Sequence, residues 1–380
     1  MNLEGKIAIA LSPSAEGGCA VSIHSSRPVH AARLFQGKTV TQTLQSLPLL
    51  FSVCGTAQAA AAVRGCEQAL GIEAPPATER VRQQLVAMET IREHLWRTLL
   101  GWSTLLDQPP PEQELAQVMA LQQQLRQALI GSNTPFLPQA DTIHPPSITH
   151  IQQQLQQIIE RTLLGIPLQQ WLAFDKIDQL FEWGQQHRTV AAAFIQQLEQ
   201  RGWSGIGRST TPALPTLESR KIHTLMEQPE FVEQPLWEQT PHETTPLSRT
   251  QSPLLDAVRQ RYGNALLTRS VGRLTELLQQ IQQLPTPTPQ PMLPSSESGI
   301  GIGISQAARG QLLHRVSVEE EQILRYQILA PTEWNFHPQG AVAEALQSLD
   351  PHSPSLQQQA QLIIHAIDPC VGYDLTIHPQ

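Results

Sequence analysis

Charge and aromatic residues are scarce in this 380-residue chain. Asp, Glu, Lys and Arg make up 15% of it, and Phe, Trp and Tyr 5%. Basic residues number 25 against 33 acidic ones, for a formal net charge of −8, and they form no dense run. This argues against a nucleic-acid partner, since phosphate binding needs a concentrated basic surface. No apolar stretch approaches the roughly 20 residues that a membrane span requires. The opening Met1-Asn2-Leu3-Glu4-Gly5-Lys6 lacks the basic-then-apolar layout of a secretory signal. Cysteines number four, Cys19, Cys54, Cys66 and Cys370, without the spacing of a disulfide framework. A reducing cytoplasm is therefore the expected setting.

What is present suffices for a large core. The length would permit two or three domains, and apolar residues make up 40%. Gln fills much of the missing polar surface, as at Gln152 to Gln154 and Gln357 to Gln359. It is a good helix former and suits exposed helix faces.

Alternation of apolar and polar residues predicts a β-hairpin over 6–25, turning at Glu16-Gly17-Gly18. A short helix is expected within 38–52. An Ala-rich helix from Thr56 to Leu70 should stop at Gly71. Apolar residues at helical spacing predict a helix over 80–106, with Val81, Leu85, Met88, Leu95 and Leu99 on its buried stripe, ended by Pro109-Pro110-Pro111. Further helices fit 112–130, 148–164, 168–184 and 188–201. Residues 204–252 read as irregular, and a long helix is expected over 253–284. Residues 285–299 read as a Pro-rich linker, with Pro285 to Pro294 extended and exposed. A second hairpin is expected from 311–318 and 322–329, turning at Glu319 to Glu321. The last helix should start at Ser353-Pro354 and stop before Asp368-Pro369. The chain thus reads as mainly α with small β elements.

Two cysteine segments lie at opposite ends of the chain, Ser52-Val53-Cys54-Gly55-Thr56-Ala57 and Asp368-Pro369-Cys370-Val371-Gly372-Tyr373. Cys54 opens the Ala-rich helix. There the positive end of the helix dipole favours the thiolate, the form that binds a soft metal. A buried cysteine packed beside alanines is the plainer reading of the same residues. Local sequence leaves both open.

The wider pattern carries a family resemblance. Cys54-Gly55 resembles the first half of the nickel–iron hydrogenase large-subunit motif Arg-x-Cys-Gly-x-Cys. Asp368-Pro369-Cys370 resembles the first half of that family's Asp-Pro-Cys-x-x-Cys-x-x-His. Between them, Ala307-Ala308-Arg309-Gly310-Gln311-Leu312-Leu313-His314 is similar to Glu-Ala-Pro-Arg-Gly-x-Leu-x-His. Tyr326-Gln327 with Pro331-Thr332-Glu333-Trp334-Asn335 is similar to Tyr-Gln-x-x-x-Pro-Thr-x-Trp-Asn. Leu3-Glu4-Gly5-Lys6 and Glu243-Thr244-Thr245-Pro246-Leu247-Ser248-Arg249 match two further motifs, and all occur in family order.

The resemblance implies one hydrogenase large-subunit-like domain over 1–380, with a central helix bundle and short N- and C-terminal β-hairpins. It also implies that Cys54 and Cys370 stand at the terminal nickel-ligand positions. The bridging positions are Ala57 and Tyr373, and neither can bridge two metals. Thr376 stands at the family's histidine, and the nearest histidine is His378. Lys6, Gln306 and Ala308 replace the family's His, Glu and Pro. The chain also stops before the tail that family precursors lose on maturation. Glu4 matches the proton-transfer glutamate, here with a structural role expected. Arg309, Pro331 and Thr332 match the pocket that receives cyanide and carbonyl ligands, with a buried ion pair as the alternative for Arg309. For His314, Cys19 and Cys66 ordinary packing suffices.

No complete nickel–iron centre is therefore expected. The chain resembles the accessory large-subunit paralogues of the HupK and HoxV kind. That implies a non-catalytic maturation protein, a scaffold for an iron unit carrying cyanide and carbonyl ligands. The implied partners are the proteins that build that unit and the immature hydrogenase large subunit. Two alternatives are a divergent hydrogenase catalytic subunit and a metal-free relative that docks on a partner.

Overall fold

The computed structural model describes residues 5–51, 53–131, 134–138, 145–287, 293–294 and 297–378. Glu4 and the middle of the Pro-rich segment lie outside these residues.

The first hairpin forms as expected from β1 (Ile7–Pro13) and β2 (Cys19–Ser25). Its turn uses Gly17 and Gly18 at φ 92° and 70°, a region where only glycine is unstrained. Helix α1 (Gly55–Leu70) is the Ala-rich segment, stopped by Gly71 at φ 68°. Then come α2 (Pro76–Leu95), α3 (Glu112–Ile130), α4 (Thr149–Ile159), α5 (Ile177–Gln186), α6 (Val190–Gln200), α7 (Pro253–Tyr262) and α8 (Leu266–Gln283). Helices α2 to α8 share one apolar core. Leu85, Leu125, Leu155, Leu267 and Leu277 are sealed within it. Each such side chain contributes about 1.5–3 kcal/mol. The expected stripes of α2 and α4 face this core.

An antiparallel sheet follows, formed by β3 (Ile300–Ala307), β4 (Gly310–Glu319) and β5 (Gln322–Leu329). After it come α9 (Pro331–Asn335), α10 (Leu356–Ile367) and β6 (Tyr373–Ile377). β6 pairs in parallel with β1, so a sheet of order β2-β1-β6 joins the two ends of the chain.

Several expectations are corrected. The 168–184 helix is two, Leu168–Leu172 and α5. The break is held by the Gln179 side chain, whose Oε1 accepts the N–H groups of Asp175 and Lys176. The 253–284 helix is also two, interrupted at Gly263, φ 69°. The 204–252 segment holds short helices at Ser219–Met226, Pro229–Glu233 and Pro246–Arg249. The last helix starts at Leu356, and Ser353 instead anchors the preceding turn, accepting the Ser355 N–H. The Pro-rich segment is not exposed throughout, since Leu293 is buried in an apolar cluster and the Pro285 carbonyl accepts from Gln84. Neither terminal sheet is a plain hairpin, because β3 and β6 each add a strand.

The packing of α1 on β3 positions the rest. A Cβ at Gly303 would lie 1.8 Å from the Ala61 carbonyl oxygen, and one at Gly301 would lie 1.9 Å from that of Gly65. Helix and strand backbones therefore touch, which only the Gly-x-Gly of Ile300-Gly301-Ile302-Gly303 and the small face of α1 permit. Ala61 sits at Gly303 and Gly65 at Gly301, so helix and strand run in opposite directions. The N-terminus of α1 thus reaches the β3–β4 turn.

Candidate metal site

Cys54 is the N-cap of α1, and Arg309 occupies the β3–β4 turn at the same end of the sheet. Thr332 follows β5, whose last residue Leu329 pairs with Leu313 near the start of β4. Cys370 follows α10, immediately before the strand that β1 recruits. Four segments distant in sequence therefore converge.

Both cysteines are free and half-buried. Thr332 Oγ1 lies 3.1 Å from Cys370 Sγ. Burial is the main influence that pushes the Cys54 thiol up to about 12, with the charge of Cys370 next and Glu89 after it; Gln58 and Arg309 pull it down. The two thiols thus lie near enough for the charge of one to act on the other. The expectation that the helix dipole would favour a Cys54 thiolate is overturned. Glu89 has taken the dipole's place, accepting the N–H groups of Thr56 and Ala57 at 2.8 and 3.0 Å. Burial raises the carboxyl of Glu89.

Arg309 is buried, with Nη1 3.1 Å from Glu93 and Nε 3.4 Å from Asp368. The buried ion pair considered for it is present, and its guanidinium also lies in the field of both thiols. Burial would lower its pKa, but Asp368, Glu93, Cys370 and Cys54 more than offset this. Gly310, at φ 139°, shapes the turn, and a Cβ there would meet the Thr244 carbonyl at 1.8 Å. Asn335 ties three motifs together, donating to the Arg309 carbonyl and accepting the Thr244 N–H. Asp368 faces Arg97 at 2.9 Å, and its carboxyl is held low against burial by Arg309, Arg97 and Arg273. Pro331 opens α9 and is buried.

The remaining positions are accounted for by packing. Ala57 is buried among Ala60, Ala61 and Ala307, and Tyr373 begins β6 opposite Ile7. His314 is fully buried between the Tyr326 hydroxyl at 2.8 Å and Gln58 Oε1 at 2.7 Å, and burial pulls it down to about 3. Gln58 in turn donates to Cys54 Sγ at 3.6 Å. Cys19 and Cys66 pack in apolar clusters, and His378 is exposed beyond β6. Among the described residues, no group of three or more His, Cys, Asp or Glu is placed to hold a metal.

Sequence reasoning missed Glu89, Gln58 and Arg27. Glu89 and Gln58 lie within the expected helices at positions that no motif marks. Arg27 follows β2 with no motif to mark it. It pairs directly with Glu333, the two side chains 12% and 5% exposed.

A family description of nickel-dependent hydrogenases matches residues 227–374. The hydrogenase expression/formation protein HupV of Azotobacter chroococcum mcd 1 is 30% identical over 366 residues, covering 94% of each chain. This chain belongs to the family of hydrogenase expression/formation proteins. Other members of the family are HupK of Azotobacter vinelandii, 28% identical over 94% of each chain, and HoxV of Cupriavidus necator, 28% identical over 92% of this chain and 91% of that one. The fold is that of the hydrogenase large subunits. The Ni-Fe-Se hydrogenase of D. vulgaris Hildenborough superposes with a TM-score of 0.63, at 16% identity and 94% coverage of each chain. No described helix is long and apolar enough to cross a membrane.

Proposed function

We propose that this expression/formation protein is a non-catalytic, cytoplasmic maturation scaffold. It holds an iron fragment bearing cyanide and carbonyl ligands on Cys54 and Cys370, and passes it to an immature hydrogenase large subunit. The observation that supports this is the approach of two thiols from opposite ends of the chain, with Thr332 against Cys370 and Arg309 paired to the nearby Asp368. Two thiolates and three diatomic ligands leave one position of a six-coordinate iron open. A guanidinium and a hydroxyl are the donors that suit cyanide nitrogens. Ala57 and Tyr373 supply no second pair of sulfurs, so the fragment has fewer anchors than a complete nickel–iron centre would have. That suits cargo that must leave. Partners are the proteins that build the fragment and the large subunit that receives it.

Protein purified anaerobically from cells making the fragment should show infrared bands of bound cyanide and carbonyl, and Cys54→Ala and Cys370→Ala should lose them. Absence of the bands, together with normal hydrogenase maturation by Cys54→Ala, overturns the reading. A second reading, a metal-free relative that docks on a partner, takes its support from the lack of any three-ligand cluster among the described residues. Metal analysis of the anaerobic protein separates the two.

A further inference from the structure

The parallel pairing of β6 with β1 leaves the other edge of β6 open. The Gly372 carbonyl accepts the Ile7 N–H, and the His378 N–H donates to the Leu11 carbonyl, so Asp374 and Thr376 between them also turn their backbone groups to β1. Tyr373, Leu375 and Ile377 therefore aim their N–H and C=O groups outward, and no described residue bonds to them. Their side chains lie on the same face as Ile7, Ile9 and Leu11, which are sealed in an apolar cluster. Those of β6 pack on that cluster but stay only half-buried, since no further strand flanks them. Asp374 and Thr376 are exposed on the opposite face, Asp374 with Lys6 at 3.3 Å. An edge with free backbone groups and apolar side chains is a template for another strand, and neither proline nor lysine stands between Tyr373 and Ile377 to block it.

We infer that the open edge of β6 is where two copies of this chain pair, strand to strand, antiparallel about a two-fold axis at Leu375. This goes beyond the scaffold reading and does not depend on it. The strand is self-complementary in that register. Leu375 faces Leu375 of the second copy, and Tyr373 faces Ile377 on either side of the axis. These are the residues with outward backbone groups, so each N–H meets a C=O and none is left over. On the core side the half-buried apolar side chains cover one another, an aromatic ring against a β-branched residue at each end. On the other side Asp374 meets Thr376, so no like charges stand opposite. Centring the axis on Asp374 instead would set two carboxylates face to face and leave the Ile377 groups free. A two-fold contact closes on itself, giving a dimer and not a fibre. The two three-stranded sheets then join into one, of order β2-β1-β6-β6-β1-β2.

An edge of 5 residues is small beside the roughly 800 Å² per partner of a standard interface, so the dimer should be weak. Sedimentation equilibrium of the full-length protein, from about 1 to about 300 µM, should show a reversible monomer–dimer equilibrium. Leu375→Glu sets two carboxylates face to face on the axis and should weaken the dimer about tenfold or more. Thr376→Asp sets a carboxylate opposite Asp374 of the second copy, twice across the axis, and should weaken it at least about threefold. Thr376→Lys sets opposite charges there and should tighten it by about as much, the gain fading as salt rises. Thr376 is exposed, so both of its variants should keep the urea midpoint of the unchanged protein, which separates lost pairing from lost folding. Monomer at every concentration overturns the inference and leaves the edge to a strand of a different protein. A dimer that the two Thr376 variants do not shift in opposite directions overturns it as well, because the copies would then meet elsewhere.

Discussion

Substituting Gly303 with Ala tests what brings Cys54 to its place. The added carbon would lie 1.8 Å from the Ala61 oxygen, 2.5 Å from the Gly65 nitrogen and 2.9 Å from the Ala61 carbonyl carbon. Non-bonded carbon needs about 3.5 Å, so α1 must retreat by roughly 1.5 Å, since backbone atoms cannot rotate aside. A gap of even 0.5–1 Å forfeits about a quarter to a half of each dispersion contact along the face. Overpacking costs typically about 1–3 kcal/mol, and this collision belongs at the upper end, about 3 kcal/mol. With a urea m value of about 4 kcal/mol/M for a chain of this size, the midpoint should fall by about 0.7 M. Gly65→Ala is the control. Its Cβ would meet neighbours at 3.2 to 3.3 Å, and a helical Ala gains about 1 kcal/mol in propensity, so the net change should be small. The retreat also carries Cys54 with it. A short bifunctional thiol reagent should link Cys54 to Cys370 in the unchanged protein and in Gly65→Ala, and poorly in Gly303→Ala. A Gly303→Ala midpoint equal to the unchanged protein's, with undiminished cross-linking, would refute the argument that this backbone contact places the thiol.

Stability should fall on acidification, because His314 and His365 both titrate near 3 in the folded chain against 6.5 for an unperturbed histidine. Between those values the unfolded chain binds more protons, so the contribution is complete above about pH 6.5 and drains away towards pH 3, by at most roughly 5 kcal/mol for each histidine. Urea midpoints at pH 7 and pH 5 should show this loss, and His365→Leu should flatten the slope. Arg82, fully buried, grips both carboxylate oxygens of Glu67 at 2.7 and 2.8 Å. Arg82→Ala strands that carboxylate and should cost about 3–5 kcal/mol, read from the same midpoints. Glu89→Gln leaves one acceptor for two N–H groups at the start of α1 and should cost about 1–3 kcal/mol. Faster alkylation of Cys54 should accompany it, and an unchanged rate would mean that Glu89 does not hold that turn.

Elements with a strong local period were legible. Helices α1 to α4 and the two expected hairpins lie where apolar spacing put them. Strand β3 was hidden because Gly301 and Gly303 remove side chains from a face that touches the helix backbone. Strand β6 was hidden because its hydrogen bonds go to β1, at the other end of the chain. The expected helices over 168–184 and 253–284 broke because one amide side chain, Gln179, and one glycine in the left-handed region, Gly263, outweighed an unbroken apolar stripe.

Sequence by itself determined the inventory: which residue types stand in the two cysteine segments, Cys54 with Ala57 and Cys370 with Tyr373, and which helices own an apolar face. These are matters of covalent identity and short-range period. Tertiary structure decided the surroundings. It placed Glu89 on the end of α1, supplied Arg27 and paired Arg309 with acidic neighbours. It also pushed the Cys54 thiol up where its helix position alone would have brought it down. Burial and the fields of distant charges act through space, and no spacing along the chain encodes them.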